Sequence, residues 1–161
     1  MTPVDEVEFE RIYDASPEEL WRAWTDPEQI RQWWGPDNVI IPECEADPRV
    51  GGRIYIVMEA GEAMGPYKGT RWPMEGEYVK MEENSMLAYS AKSWTEGSRE
   101  NTEIDQTCEL YLYPEDSGSK LKLKITLNSV GPDAKAAAEG MRYGFAQHFD
   151  KLTGFLAARR S

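Results

Sequence analysis

Strict alternation of hydrophobic and polar residues marks the clearest strand of the chain. In the segment KLKLKITL, residues 120–127, leucine or isoleucine occupies every second position and lysine or threonine the positions between them. A period of two places the apolar side chains on one face, so this strand is expected to have one covered and one solvated face. Similar segments separated by turn signals recur along the chain, which predicts an antiparallel sheet of about six or seven strands.

Two short helices are predicted directly after the first strand. The segment SPEE, residues 16–19, has the sequence of a capping box, and DPEQ, residues 26–29, repeats this helix start. Each helix is therefore expected to be short, about two turns. The second is expected to end at the two tryptophans before Gly35, because Gly35 suits a left-handed C-cap and Pro36 cannot continue a helix.

A long helical period follows the last strand, from near Asp133 to about Arg159. Its apolar face comprises Ala137, Met141, Phe145, His148, Phe149, Leu152, Phe155 and Leu156. One covered sheet face and one long helix predict an α+β fold of the helix-grip type. In this fold a curved antiparallel sheet wraps around the long C-terminal helix, with the two short helices after the first strand. Residues 1–161 are expected to form a single domain.

The composition narrows the range of functions. A net charge of -11 argues against nucleic-acid binding, which requires clustered lysine and arginine. It also argues against binding to anionic membranes. Cys44 and Cys108 match no zinc or redox spacing and are expected to be reduced, buried thiols. The N-terminus lacks the regions of a signal peptide, and no apolar run approaches the ~20 residues of a membrane span. A cytoplasmic protein is therefore expected.

Four segments together carry a resemblance to a known superfamily. They are DPEQIRQWWGP (26–36), ADPRVGGRIYIVM (46–58), GEYVKMEENSMLAYS (76–90) and GFAQHFDKLTGFLA (144–157). The chain resembles the START-like, or SRPBCC, superfamily, in the branch similar to the C-terminal domain of the heat-shock chaperone ATPase activator. The resemblance implies a deep cavity between sheet and long helix that binds apolar small molecules in many members.

The sequence departs from that branch in two respects. Gly144 is followed by Phe145, where the branch often has a Gly-Trp pair on the long helix. An N-terminal extension that could form a separate chaperone-activating domain is not expected from this sequence. We therefore do not carry a chaperone partner over from the resemblance.

His148 is the only histidine and lies on the apolar face of the predicted long helix. Three interpretations are open: a core histidine hydrogen bonded to a strand tyrosine or a backbone carbonyl, a ligand contact, or an acid/base group. A Ser-His-Asp arrangement would have to form around this one ring, without a nucleophile-elbow motif. The cysteine and histidine positions give no metal-ligand spacing, so neither a metal site nor a cofactor is expected.

Aromatic and methionine side chains are the candidate ligand-binding residues. Aromatic residues supply apolar surface, and Trp and Tyr also carry a polar group that can anchor a ligand. The candidates lie in or beside central strands or on the long helix: Met58, Trp72, Tyr78, Tyr89, Trp94, Met141, Phe145, His148 and Phe149. For each residue alone, plain core packing is the alternative.

The sequence therefore favours a protein that binds an apolar or aromatic small molecule in an internal cavity, in sequestration, transport or the stress response. One alternative is a cyclase- or hydrolase-like enzyme in the same cavity, with His148 as acid/base and Tyr78 or Tyr89 orienting the substrate. A second alternative is a chaperone-associated interaction module that uses its acidic surface. A homodimer is left open.

Overall fold

The computed structural model describes residues 5–160, apart from the side chains of residues 142 and 160. The ends of the predicted domain, residues 1–4 and 161, lie outside the described residues. The strands are β1 (Asp5–Tyr13), β2 (Val39–Ala46), β3 (Arg53–Ala60), β4 (Arg71–Glu82), β5 (Met86–Ser93), β6 (Ile104–Glu115) and β7 (Gly118–Val130). The helices are α1 (Pro17–Thr25), α2 (Pro27–Trp33), α3 (Arg99–Thr102) and α4 (Lys135–Arg160), with a 3-10 helix at Glu62–Tyr67.

The strands confirm the predicted sheet. Within residues 5–160, seven strands pair in the order β1-β7-β6-β5-β4-β3-β2, and every neighbouring pair is antiparallel. The chain crosses from one edge strand, β1, to the other, β2, through α1 and α2, and then returns strand by strand. The curved sheet, the long α4 and the two short helices after β1 make up the predicted helix-grip fold.

The alternation in β7 has the predicted consequence. Its four apolar residues are at most 1% exposed: Leu121, Leu123, Ile125 and Leu127. The lysines between them lie on the outer face, where Lys124 pairs with Glu6 at 2.7 Å and Lys120 pairs with Glu10 at 3.5 Å. The inner face of the sheet therefore forms part of the core, and the solvated outer face carries cross-strand ion pairs.

The capping box predicted at α1 is present. The Glu19 backbone N–H donates to Ser16 Oγ at 3.1 Å, and the Ser16 backbone N–H donates to the Glu19 carboxylate at 3.3 Å. The end of α2 differs slightly from the prediction. Trp34 already has extended backbone angles (φ -66°, ψ 147°) and caps the helix, while Gly35 follows with the expected positive φ of 92°. The helix thus ends one residue earlier than predicted.

The C-terminal half of α4 packs directly on the sheet edge. Phe149, Leu152 and Leu156 are buried. The Tyr13 hydroxyl of β1 donates to the Phe149 carbonyl oxygen at 3.3 Å, and the Phe9 and Phe149 rings lie 5.3 Å apart. These contacts hold the helix over β1. In the described part of the chain, α4 included, the helices do not combine the length and hydropathy needed to cross a bilayer.

Candidate functional site

An apolar pocket of about 360 Å³ lies between the inner face of the sheet and the N-terminal half of α4. Four methionines line it: Met58, Met64, Met74 and Met141. Four aromatic rings line it as well: Trp34, Trp72, Trp94 and Phe145. Thioether side chains adapt to the shape of a ligand and contact aromatic rings favourably. We refer to this space as the inner pocket.

The strand register brings the sheet residues of the inner pocket together. Met58 of β3 is the direct partner of Trp72 of β4, and Ile56 is the partner of Met74 two residues further along. Residues two apart on a strand share a face, so both pairs project to the inner side. On β6, Ile104 and Gln106 continue the same wall.

Small residues on α4 form the opposite wall. Ala137, Gly140 and Gly144 line the inner pocket together with Met141. A Cβ atom added at Gly140 or Gly144 would meet nothing within 4 Å. Close packing therefore does not require glycine at these positions, although each glycine costs about 1 kcal/mol of helix propensity relative to alanine. The consequence of the small residues is open volume beside the helix.

The loop after α2 is fastened to α4 by three side chains. The Lys151 ammonium donates to the carbonyl oxygens of Trp34, Gly35 and Pro36 at 3.2, 3.1 and 3.4 Å. The backbone N–H of residue 37 donates to the Gln147 side-chain oxygen at 2.8 Å. These contacts explain the Trp-Trp-Gly-Pro segment: it ends α2, and its backbone then closes one end of the inner pocket against α4.

His148 completes this fastening. The Gly35 backbone N–H donates to His148 Nδ1 at 3.3 Å, so the proton of the neutral ring is on Nε2. The ring stacks on Phe145 with centroids 4.4 Å apart and meets the Trp34 ring edge-on at 5.0 Å. At Nδ1 the predicted partners, a strand tyrosine or a backbone carbonyl, are wrong, because the backbone of Gly35 lies between this ring and the strand residues Met58 and Ile41.

The environment of His148 keeps its ring neutral. Burial, followed by the nearby charge of Lys151, lowers the pKa of His148 to about 3. A general base is most effective when its pKa is near the operating pH, and here the acceptor nitrogen is already hydrogen bonded. The ring is therefore poorly suited to proton abstraction at neutral pH. It remains able to donate a hydrogen bond from Nε2.

Gln106 is a buried polar side chain in the sheet wall, which also contains Ser93 of β5. Gln106 is 6% exposed, and its Nε2 donates to Met74 Sδ at 3.3 Å, whereas its Oε1 is buried without a hydrogen-bond partner. Thioether sulfur is a weak acceptor, and a buried unpaired carbonyl oxygen costs about 1–3 kcal/mol. Gln106 is thus a polar group whose hydrogen bonding is incomplete within the described structure.

The predicted site residues divide into two groups. Six of them line the inner pocket: Met58, Trp72, Trp94, Met141, Phe145 and His148. Tyr78 and Tyr89 instead form a cross-strand pair between β4 and β5, with ring centroids 6.2 Å apart in an edge-on arrangement, and burial raises the pKa of both hydroxyls. Phe149 packs under β1. The structure therefore gathers the first group and separates the tyrosines and Phe149 from it.

Sequence reasoning missed several lining residues. Trp34, predicted only to end α2, lines the inner pocket as well, and Met64 and Met74 are not among the predicted site residues. Gln106 could have been found from its pattern. It occupies an inward position in an alternating series whose other inward members are Ile104, Cys108, Leu110 and Leu112, and a polar residue in such a series needs an explanation.

A second concavity, open and about 550 Å³ in volume, lies on the outer face of the sheet. Its lining is largely charged, and its central cation, Arg53, is paired with Glu45 and with Glu75 at 2.6 Å. An open groove whose arginine is already paired with two carboxylates offers little for a small molecule to bind. The inner pocket is therefore the candidate site.

A curved sheet around a long C-terminal helix, with the described pocket between them, defines a START-like domain of the SRPBCC type. The sequence model of one family, the Activator of Hsp90 ATPase homolog 1-like proteins, matches residues 14–157. The chain belongs to this family. Domains of this class bind small molecules or proteins.

Solved structures share the fold at low sequence identity. A protein from Rhodobacter sphaeroides is 25% identical, with a TM-score of 0.74 over 95% of this chain and 93% of that one. The AHSA1 protein from Silicibacter pomeroyi is 22% identical, with a TM-score of 0.75 over 96% and 99%. A protein from Arthrobacter aurescens is 19% identical, with a TM-score of 0.77 over 98% and 93%. A comparison with curated proteins finds no match.

Proposed function

We propose that this protein binds an apolar or aromatic small molecule in the inner pocket, without a cofactor. The observation that carries the proposal is the pairing of an apolar wall on the sheet with a wall of small residues on α4. Protein interiors pack at a density of about 0.75, and the 360 Å³ beside Gly140 and Gly144 is a departure from such packing. Apolar pockets with few polar groups are the usual form of small-molecule sites.

The size of the inner pocket limits the ligand. At about 360 Å³ the inner pocket lies within the usual size range of small-molecule sites, which suits a flat molecule of a few rings. Each Å² of apolar ligand surface removed from water contributes about 25 cal/mol, and after the costs of association we expect affinity in the micromolar range.

The proposal extends to the role and the location of the protein. As one START-like domain in the cytoplasm, it would act in sequestration, transport or the stress response. It does not include a cyclase- or hydrolase-like reaction, because the acceptor nitrogen of His148 is occupied by Gly35 and the pKa of His148 is about 3. Nor does it include a chaperone partner.

Ligand titration tests the proposal. Flavones, polycyclic aromatics and fatty acids are added while intrinsic tryptophan emission is followed, since Trp34, Trp72 and Trp94 line the inner pocket. We expect a saturable change with at least one of these classes. Failure of every class to saturate would contradict the proposal.

A matched pair of variants locates the binding. Gly144→Leu adds a branched side chain beside the inner pocket, whereas Gly154→Leu adds the same side chain to α4 outside the lining residues; at both positions the new Cβ meets nothing within 4 Å. Both gain helix propensity, so neither is expected to impair folding. Gly144→Leu should weaken binding at least about tenfold, which is 1.4 kcal/mol, and Gly154→Leu should leave it unchanged. Equal affinities for the two variants would mean that the ligand binds elsewhere.

A further inference from the structure

Gln106 gives the inner pocket a polar point in its sheet wall. Its carboxamide is buried, and among the described residues Oε1 lacks a partner and Nε2 donates only to the sulfur of Met74. The last side-chain torsion of glutamine has a broad, roughly two-fold preference, so rotation can turn either polar atom toward a bound molecule. Within the described part of the chain, that rotation breaks one weak N–H···S bond.

The position of this carboxamide is set by an irregularity in the sheet. The β6–β7 register shifts between Asp105 and Gln106, so that Asn128 of β7 is skipped in the pairing. Asn128 Nδ2 donates to Asp105 Oδ1 and to Thr107 Oγ1, each at 3.2 Å. The two neighbours of Gln106 are therefore tied to β7 on the outer face, and Gln106 itself is held on the inner face. Bulges of this kind commonly re-aim a side chain beside a functional site.

The electrostatics of the inner pocket favour an uncharged ligand. His148 is neutral, Asp133 lies at the exposed rim, and the chain carries a net charge of -11. The lining residues of the described structure include no lysine or arginine that would compensate an anion. A carboxylate placed here would lose its hydration without gaining a cation.

We infer that the ligand of the inner pocket is an uncharged aromatic molecule bearing a hydroxyl group, and that this hydroxyl hydrogen bonds to the Gln106 carboxamide. A hydroxyl both donates and accepts, as a carboxamide does, so either orientation of Gln106 is satisfied. The inference rests on the proposed function and deepens it, since it makes Gln106 the residue that distinguishes hydroxylated aromatic molecules from plain ones.

Three probes of one shape test the inference: biphenyl, 4-phenylphenol and biphenyl-4-carboxylate. Their dissociation constants are measured by tryptophan emission and calorimetry for the wild type, Gln106→Met and the outer-face control Glu109→Gln. Gln106→Met keeps the side-chain length and removes both polar atoms, so folding should be preserved. The measured quantity is the preference for 4-phenylphenol over biphenyl within each protein, which cancels general changes in the pocket.

In Gln106→Met this preference should fall about two- to tenfold, the range for one neutral hydrogen bond, and in Glu109→Gln it should not change. The wild type should bind the carboxylate at least about tenfold more weakly than the phenol. An unchanged preference in Gln106→Met, or tighter binding of the carboxylate than of the phenol, overturns the inference. In either case, binding of biphenyl still supports the proposed function. If no probe binds and the wider titration also fails, both are overturned.

Discussion

The two halves of α4 follow one helical pattern but meet the sheet in different ways. In the C-terminal half, Phe149 and Leu152 are at most 1% exposed, and the Phe149 ring packs against Phe9 of β1. In the N-terminal half, Gly140 and Gly144 face open space, and the sheet lies across the inner pocket. Large residues make the C-terminal half part of the core, and small residues make the N-terminal half the wall of a candidate site.

The boundary between the halves coincides with the fastened loop. Gln147, His148 and Lys151 hold the backbone that follows α2. Because this fastening lies at or beyond residue 147 and the ring contacts with Phe9 of β1 begin only at Phe145, the turns of α4 before residue 145 can leave a void beside them without loss of the fold. One continuous helix thus stabilises the fold at one end and, in the proposed function, binds the ligand at the other.

The largest expected effect separates the halves directly. Leu152→Asp places a charge in a fully buried position, and we expect loss of soluble folding, since an uncompensated buried charge costs several kcal/mol, about 4 or more. Tyr143→Asp, at a position 78% exposed in the N-terminal half, should shift stability by less than about 0.5 kcal/mol. Urea denaturation followed by circular dichroism measures both. Similar midpoints would show that the halves have been wrongly assigned.

The second prediction concerns the pH dependence of stability, which His148 sets at the boundary between the two halves of α4. The folded protein keeps His148 neutral down to about pH 3, whereas in the unfolded chain it takes up a proton below a pKa of about 6.5. The unfolded state therefore binds more protons in this window, and stability falls as the pH falls. Between pH 7 and pH 5 this histidine accounts for a loss of about 2 kcal/mol.

His148→Asn provides the control for that prediction. Its Oδ1 can accept the Gly35 N–H in place of Nδ1, but it does not titrate. Denaturant midpoints of wild type and His148→Asn should therefore converge at the lower pH. Parallel curves for the two proteins would contradict the assigned protonation state.

A third, smaller effect is expected in the fastened loop. At Gly35, φ is positive (92°) and a new Cβ would lie 2.5 Å from Val39 Cγ2. We therefore expect Gly35→Ala to lower the free energy of unfolding by about 1–2 kcal/mol. Gly97→Ala has nearly the same φ, 91°, with nothing within 4 Å of the new Cβ. The difference between their unfolding free energies isolates the steric contact. If Gly97→Ala is as costly as Gly35→Ala, close approach of the loop to β2 contributes nothing.

The sequence predicted the fold well because local patterns determine its elements. Alternation in residues 120–127 and the capping box at Ser16 act within a few residues, and both have the expected structure. Asp26 is the N-cap of α2, but it accepts from the Glu28 N–H and does not form the reciprocal box predicted for it. The long helix was likewise predicted to within about two residues of its observed start. These features require no knowledge of distant contacts.

The site was predicted less completely because it depends on long-range register. Alternation places Tyr78 on the inner face but not at a particular height along the sheet, and a register shift in β4 follows directly after it. The inner pocket occupies only one end of that face. The contact of His148 with Gly35, 113 residues away in the sequence, is equally invisible to a local pattern.

The smallest expected effect separates the contribution of each half of α4 to stability from its contribution to binding. Gly144→Ala and Gly154→Ala each replace a glycine of α4 at which a new Cβ meets nothing, one beside the inner pocket and one in the C-terminal half. Both should raise the free energy of unfolding by about 0.5–1 kcal/mol, the helix-propensity difference. Only Gly144→Ala reduces the volume available to a ligand, so only this variant should change the affinity for biphenyl. Equal gains in stability with equal affinities would show that the N-terminal half of α4 is as purely structural as the other.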